Sequence, residues 1–297
     1  MKPARTAADI ASLVQFACLL EVSAPKPGNV SPGRHFTDLR YEDFLASAVA
    51  LGPPFARVAN QPLGETIRQA VESTACWTST NTNLGIVLLL APLAKAAASG
   101  GEESQSLGGP GGSKDPPLRH VLHGVLEETT VDDARQVYAA IRRASPGGLG
   151  NAESQDVARE PDVTLLDAMR LAADRDGVAH EYATNFEVTF EQGAPALERA
   201  RRDGLPWSDA IVETFLQLLA HGVDTHIVRR SGMHAAERVS ALARDVLGAG
   251  GVRSPAGRQA IEAMDGAIRD ARNSNNPGTT ADLTAAAIFV TLIAGSW

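Results

Sequence analysis

The chain has 297 residues, 44% of them hydrophobic and only 5% aromatic, with a formal net charge of −8. That length buries a substantial core, and a core of small aliphatic side chains suits closely packed helices better than a β-sandwich. There is no long Lys/Arg run, which argues against a nucleic-acid surface but leaves room for local cations that hold nucleotides.

Thr6, with Asp9 three residues on, predicts the capped start of a first helix, whose Ile10, Leu13, Val14, Ala17, Leu20 and Glu21 share one face. Pro25 and Pro27 end it and leave Lys26 and Asn29 in a stiff loop. Further helices are predicted over 41–51, 63–77 and 84–98, with Asn81, Thr82 and Asn83 joining the last two. The apolar run 84–94 contains Pro92 and falls short of the ~20 residues that cross a bilayer, so no membrane partner is expected. Residues 99–117 are mostly Gly, Ser, Glu and Pro, and predict a flexible surface loop.

Helical patterning resumes at 118–126, and Thr130 with Asp133 makes a second capping box ahead of Val137, Ala140 and Ile141. A glycine-rich run over 145–151 stops that helix. The second half predicts helices over 164–174, 180–191, 194–203, 208–221, 233–247, 254–272 and 280–293. No run alternates at period two for long enough to make a strand. The expectation is an all-α protein, a single compact multi-helix domain over 1–297 with polar loops containing Gly, Pro and Asn. Cys18 and Cys76 fall in apolar helical patterns and read as reduced core residues. The first residues lack the apolar stretch of a signal peptide, so a cytoplasmic protein is expected, with a second copy of the chain as a candidate partner.

Four polar stretches carry the chemistry. In Pro25-Lys26-Pro27-Gly28-Asn29 the prolines stiffen a loop that aims a lysine, although a helix-stopping turn explains the pattern equally well. Glu21, on an apolar face, needs a cation, metal or ligand hydroxyl as partner. Asp38, just before the second helix, reads more readily as a satisfier of helix N–H groups. Asn81, Thr82 and Asn83 offer uncharged donors and acceptors suited to a nucleobase edge or ribose hydroxyls, or to capping the next helix. Asp224, Thr225 and His226 with Arg229 and Arg230 look like a phosphate or metal grip, with a structural ion pair as the rival. The turn 276–278 followed by Thr279, Thr280 and Asp282 either caps a last helix or holds phosphate beside a magnesium-binding carboxylate.

In this order the four stretches resemble the triphosphoribosyl-dephospho-CoA synthase family, over nearly the whole chain from about residue 18. Glu21, Lys26, Pro27 and Gly28 match its first motif, and Asn81, Thr82 and Gly85 its second. Asp224, Thr225 and Arg229 or Arg230 match the third, and Pro277, Gly278, Ala281, Asp282 and Leu283 the fourth. The resemblance implies an all-helical transferase that joins the ribose of ATP to the ribose 2′-hydroxyl of 3′-dephospho-CoA and releases adenine. It implies Mg²⁺ held by Asp224 and Asp282, with Glu21 or Glu72 beside them, and a general base at Glu21 or Asp38. Phosphates would lie on Lys26, Gly28, Asn29, Arg229, Arg230, Thr279 and Thr280, with base or sugar on Asn81, Thr82 and Asn83. Departures are Asn83-Leu84, where the family tends to have His-Lys, and His226, where Asn is common. Two other readings stay open: a transferase of the same fold with another acceptor, and a non-catalytic nucleotide-binding protein.

Overall fold

Thr6 accepts the Asp9 N–H at 3.2 Å while the Asp9 carboxylate accepts the Thr6 N–H at 2.8 Å, and this reciprocal cap starts α1 (Ala7–Ser23) where the sequence predicts it. The structure, a computed structural model, describes residues 5–103, 117–147, 150, 152 and 154–295. After α1 come α2 (Tyr41–Ala50), the short α3 (Gly52–Phe55), α4 (Leu63–Ala75) and α5 (Leu84–Glu103). Then follow α6 (Pro117–Glu127), α7 (Val131–Ala144), α8 (Leu165–Ala172), α9 (Gly177–Ala183), α10 (Ala194–Arg202) and α11 (Trp207–His221). The chain closes with α12 (Thr225–Ser231), α13 (Met233–Gly248), α14 (Pro255–Ile268) and α15 (Gly278–Ala294). Among the described residues there is no strand, only an isolated bridge between Ser31 and Arg34, so the fold is all-α as expected.

Two helices form the centre because they are apolar nearly all round. In α5, residues 86–94 are buried without interruption, and α15 buries Thr284 to Leu292 against α1, α5, α10 and α11. Amphipathic helices then cover them. Gly64 lets α4 come close to α7: a Cβ there would sit 2.5 Å from the Asp133 backbone, and the Gly64 N–H donates to Asp133 Oδ1 at 2.7 Å.

Several boundaries differ from the expected ones. α5 runs on to Glu103, past residue 99 where a loop was foreseen, and the rest of that expected loop, 104–116, lies outside the described residues. The helix foreseen over 180–191 is broken. α9 stops at Ala183, Asn185 and Phe186 take positive φ of 53° and 61°, and a π-helical turn follows over Val188–Gly193. The cause is Glu181, fully buried, whose carboxylate accepts the Val188 and Thr189 N–H groups at 2.9 Å each, while Phe186 turns wholly into the core. α14 ends at Ile268, earlier than expected, where Arg269 leaves the helix to bond Asp265 and the Asn29 carbonyl. α12 is a helix not foreseen, capped by Asp224. Cys18 is buried as expected, whereas Cys76 is exposed beyond the end of α4. No helix among the described residues is long and apolar enough to cross a membrane.

Candidate active site

The polar stretches, far apart in sequence, meet beside the first turn of α15. The one after α1 folds as a clasp. Lys26 is fully buried: its Nζ lies 2.9 Å from Glu21 Oε1 and donates to the Ala24 carbonyl at 3.2 Å and to the Glu21 carbonyl. All three ammonium donors are thereby used at the C-terminal end of α1, so Lys26 anchors Glu21 and does not reach a phosphate, as had been expected of it. Gly28 has φ +77°, and a Cβ on it would sit 2.5 Å from Ile268 Cδ1 and 2.9 Å from Pro277 Cδ. Its N–H donates to Asp265 Oδ1 at 2.7 Å, so it too is committed within the fold rather than to a ligand. Asn29 Nδ2 donates to Asn276 Oδ1 at 2.7 Å, tying this loop to the turn before α15. Glu21 and Asn29 are the members of this stretch that reach the cavity.

Asp224 is the second anchor. Its Oδ1 accepts the Ile227 N–H at 3.1 Å, capping α12, and its Oδ2 accepts the Thr280 N–H and hydroxyl at 2.7 Å each. Both oxygens are spent on joining α12 to α15, and neither Asp224 nor Thr280 lines the cavity, which corrects their expected places as catalyst, metal ligand and phosphate ligand. Beside them the Thr225 and Thr279 hydroxyls lie 3.0 Å apart, with Thr279 on the cavity wall. His226 Nδ1 is 3.0 Å from the Asn276 carbonyl oxygen, and its ring lies where a side chain on Gly278 would be, 2.6 Å from the Cβ position.

Asp282 is one turn into α15, half-buried in the cavity wall, and accepts no hydrogen bond among the described residues. It lies against α5 at Gly85, where a Cβ would be 2.0 Å from its Oδ2. Burial first, then the charges of Glu21 and Asp224, push its carboxyl well above the ordinary carboxylate range, with Arg229 pulling the other way. Burial likewise holds His226 below its ordinary value, Arg229 and Arg230 adding to the effect while Asp224 and the Asn276 carbonyl oppose it.

The second stretch does cap a helix and also faces the cavity. Asn81 Oδ1 accepts the Leu84 N–H at 3.1 Å, Thr82 Oγ1 lies 2.6 Å from Ser47 Oγ, and Asn83 Nδ2 donates to Thr74 Oγ1 at 3.3 Å. Asp38 does not cap α2: it is exposed at the cavity rim, where its Oδ1 accepts from Asn273 Nδ2 at 3.2 Å. Glu72 lies away from the cavity, exposed on α4 and paired with Arg68 at 2.7 Å, so it does not join the site.

The cavity these residues share has a volume of about 930 Å³, near the upper end for ligand sites in proteins. Its wall carries five arginines among the described residues: Arg142, Arg143, Arg175, Arg229 and Arg230. Arg229 pairs with Asp176, which caps α9, and Arg230 Nη2 donates to the Arg272 carbonyl at 2.6 Å. The side chains of Arg143 and Arg175 are exposed and make no hydrogen bond among the described residues. Arg230 Nη1 is 4.0 Å from the Cβ position of Gly147, so the loop after α7 comes close to α12. Sequence reading missed Arg142, Arg143 and Arg175. The signal was a basic doublet in the last turn of a helix, just ahead of a glycine-rich loop. The wall also carries the apolar residues Val137, Ile141, Ala168, Met169 and Leu171.

Of the carboxylates expected to hold magnesium, Glu72 is remote, Asp224 is spent on α12 and α15, and Glu21 is paired with Lys26, while Asp282 accepts no hydrogen bond among the described residues. Among the described residues no group of three acidic, histidine or cysteine side chains is arranged to hold a metal ion. The residues present therefore do not fit a metal cage built by the protein.

Residues 7–297 match the family described as ATP:dephospho-CoA triphosphoribosyl transferase. A "Probable 2-(5''-triphosphoribosyl)-3'-dephosphocoenzyme-A synthase" of Stutzerimonas stutzeri (strain A1501) is 30% identical over 284 residues, covering 90% of this chain and 85% of that protein. The 2-(5''-triphosphoribosyl)-3'-dephosphocoenzyme-A synthase of Klebsiella pneumoniae is 28% identical, with 94% and 92% covered. A solved structure from Archaeoglobus fulgidus, assigned to the triphosphoribosyl-dephospho-CoA synthases, superposes with a TM-score of 0.62 at 25% identity, covering 84% of this chain and 99% of that one. With a family match running almost from end to end, this chain belongs to the ATP:dephospho-CoA triphosphoribosyl transferase family.

Proposed function

We propose that this chain transfers the triphosphoribosyl unit of ATP to the ribose 2′-hydroxyl of 3′-dephospho-CoA and releases adenine. The observation that carries the reading is a set of arginines and a half-buried carboxyl group, without a hydrogen-bonding partner among the described residues, on one cavity of an acidic protein. A triphosphate bears several negative charges, and planar guanidinium groups bind phosphate oxygens through paired N–H donors. Arg229 and Arg230, with Arg143 and Arg175 across the mouth, would hold the phosphates. Asn29, Asn81, Asn83 and Thr279 supply neutral donors and acceptors for sugar and base. Magnesium, in this reading, rides on the triphosphate's own oxygens.

Displacing adenine from C1′ builds positive charge on the ribose and negative charge on the departing base. Glu21, anchored by Lys26, faces the cavity and offsets the first. Asp282, whose carboxyl is pushed well above the ordinary range by burial and by the charges of Glu21 and Asp224, is the group to donate a proton to a ring nitrogen of the leaving adenine. The apolar wall of α7 and α8 limits water, which would otherwise compete with the acceptor hydroxyl. ATP as donor makes the cytoplasm the expected compartment.

The test is incubation of the purified protein with MgATP, with and without 3′-dephospho-CoA, following adenine by chromatography and the adduct by mass. Adenine released only with the acceptor is the expected result. Release with a different nucleotide acceptor instead would favour the same-fold transferase, a reading to which Asn83-Leu84 points. ATP binding with no release from any acceptor would leave a non-catalytic nucleotide binder.

A further inference from the structure

The phenylalanines divide into two groups. Phe55, Phe186, Phe190, Phe215 and Phe289 are buried in the core, and Phe16 packs against it. Phe36 and Phe44 do neither: both are half-buried outside the core, and both line the cavity. In a chain with only 5% aromatic residues, rings left partly in water on a cavity wall are surface that a ligand would cover with gain.

Both rings are positioned before any ligand arrives. Phe36 sits in the short loop ahead of α2, where its N–H donates to the Leu39 carbonyl at 2.9 Å. Asn273 fastens this loop through Asp38, and the Thr80 hydroxyl donates to the Asp38 carbonyl at 3.4 Å. The Arg269 guanidinium lies over the Phe36 ring, 5.1 Å from its centre, and is itself fixed by Asp265 and the Asn29 carbonyl. A ring with a cation over one face keeps the other for stacking. Phe44 stands one turn before Ser47 on α2, and the Ser47 hydroxyl is 2.6 Å from that of Thr82. Residues three apart share a helix face, so the face that carries Phe44 meets the Asn81–Asn83 stretch.

The neighbouring amide completes the chemistry. Asn81 spends its Oδ1 on the Leu84 N–H, while its Nδ2 has no partner among the described residues and the side chain is exposed at the cavity. Flat apolar rings beside an amide edge suit a flat heteroaromatic base, which stacks by its faces and hydrogen-bonds by its rim. A bare phosphate has no face to stack, and an aliphatic chain has no rim to bond.

We propose that Phe36 and Phe44 form the stacking platform for an adenine base. The identity of the base rests on the transfer reading above, in which donor and acceptor each carry an adenine. Stacking acts before the reaction as well as during it, so its loss raises KM more than it lowers kcat.

The test is calorimetry on wild type, Phe36→Leu, Phe44→Leu and Phe36→Tyr, each titrated with MgATP, with 3′-dephospho-CoA and with inorganic tripolyphosphate in magnesium. Leucine keeps an apolar side chain without a ring, and tyrosine restores the ring. Each leucine variant should bind an adenine nucleotide about 5- to 100-fold more weakly, and Phe36→Tyr should stay within about threefold of wild type. Tripolyphosphate, which has no base, should bind all four proteins alike. Weakening with MgATP assigns the platform to the donor's base, and weakening with 3′-dephospho-CoA assigns it to the acceptor's. Unchanged affinity for both nucleotides, an equal loss for tripolyphosphate, or a wild type that binds neither nucleotide would overturn the platform. Adenine release is scored separately: a protein that binds ATP through these rings and releases no adenine with any acceptor keeps the platform and loses the transfer reading.

Discussion

Gly85 and Asp282 are one feature seen from two helices. The carboxylate occupies the volume that a side chain on Gly85 would fill, so Gly85→Ala must displace Asp282 or push α5 aside. The expected result is a fall in kcat of at least about 10²-fold with a loss of about 1–3 kcal/mol in stability, read by steady-state kinetics and urea titration. Asp282→Asn keeps the shape but cannot give up a proton, and should lower kcat by about 10²–10⁴-fold with little change in ATP affinity. Lys26 makes the opposite prediction. Breaking a buried ion pair costs about 3–5 kcal/mol, so Lys26→Met should lower stability far more than it raises the KM for ATP. A variant of normal stability with a selectively raised KM would return Lys26 to the phosphate site. The motif containing this lysine was visible in the sequence. That its charge points inward was not, because burial of a side chain depends on what the rest of the chain packs over it.

At the scale of helices, what is local was legible. Thr6 with Asp9 and Thr130 with Asp133 start helices where the pattern predicts, because a capping box needs only residues three apart. The break between α9 and α10 was not legible, because Glu181 reaches across it to hold the backbone of the π-helical turn. Burial pushes this carboxyl up to about 7 from an ordinary 4.5, against the pull of its bonds to Thr189 and Val188. A group raised in the folded state gives its full stabilisation below its unfolded value and loses it as pH rises through its folded one. Thermal stability should therefore decline between pH ~4.5 and ~7, by about 3 kcal/mol from this group, and the slope should flatten in Glu181→Gln. An unchanged slope in the variant would remove Glu181 as its source.

Across the whole molecule, charge is distributed against the average. A chain of formal charge −8 gathers Arg142, Arg143, Arg175, Arg229 and Arg230 around one cavity. Attraction of a polyanion to such a ring weakens with salt, since the screening length falls from about 10 Å at 0.1 M to about 3 Å at 1 M. The KM for ATP should rise with ionic strength, and Arg143→Met with Arg175→Met should raise it by about tenfold or more while changing kcat less. A KM indifferent to salt and to both substitutions would place the phosphates elsewhere. The sequence by itself determined the all-helical architecture, most helix starts and the family, since periodicity, caps and ordered motifs are properties of neighbouring residues. Only the tertiary structure decided which motif residues face a ligand. Lys26, Gly28, Asp224 and Thr280 turned out to be fastenings, because their donors and acceptors are used up by partners that sequence distance conceals. Asp282 keeps its carboxyl group at the cavity because packing leaves it no hydrogen-bonding partner among the described residues.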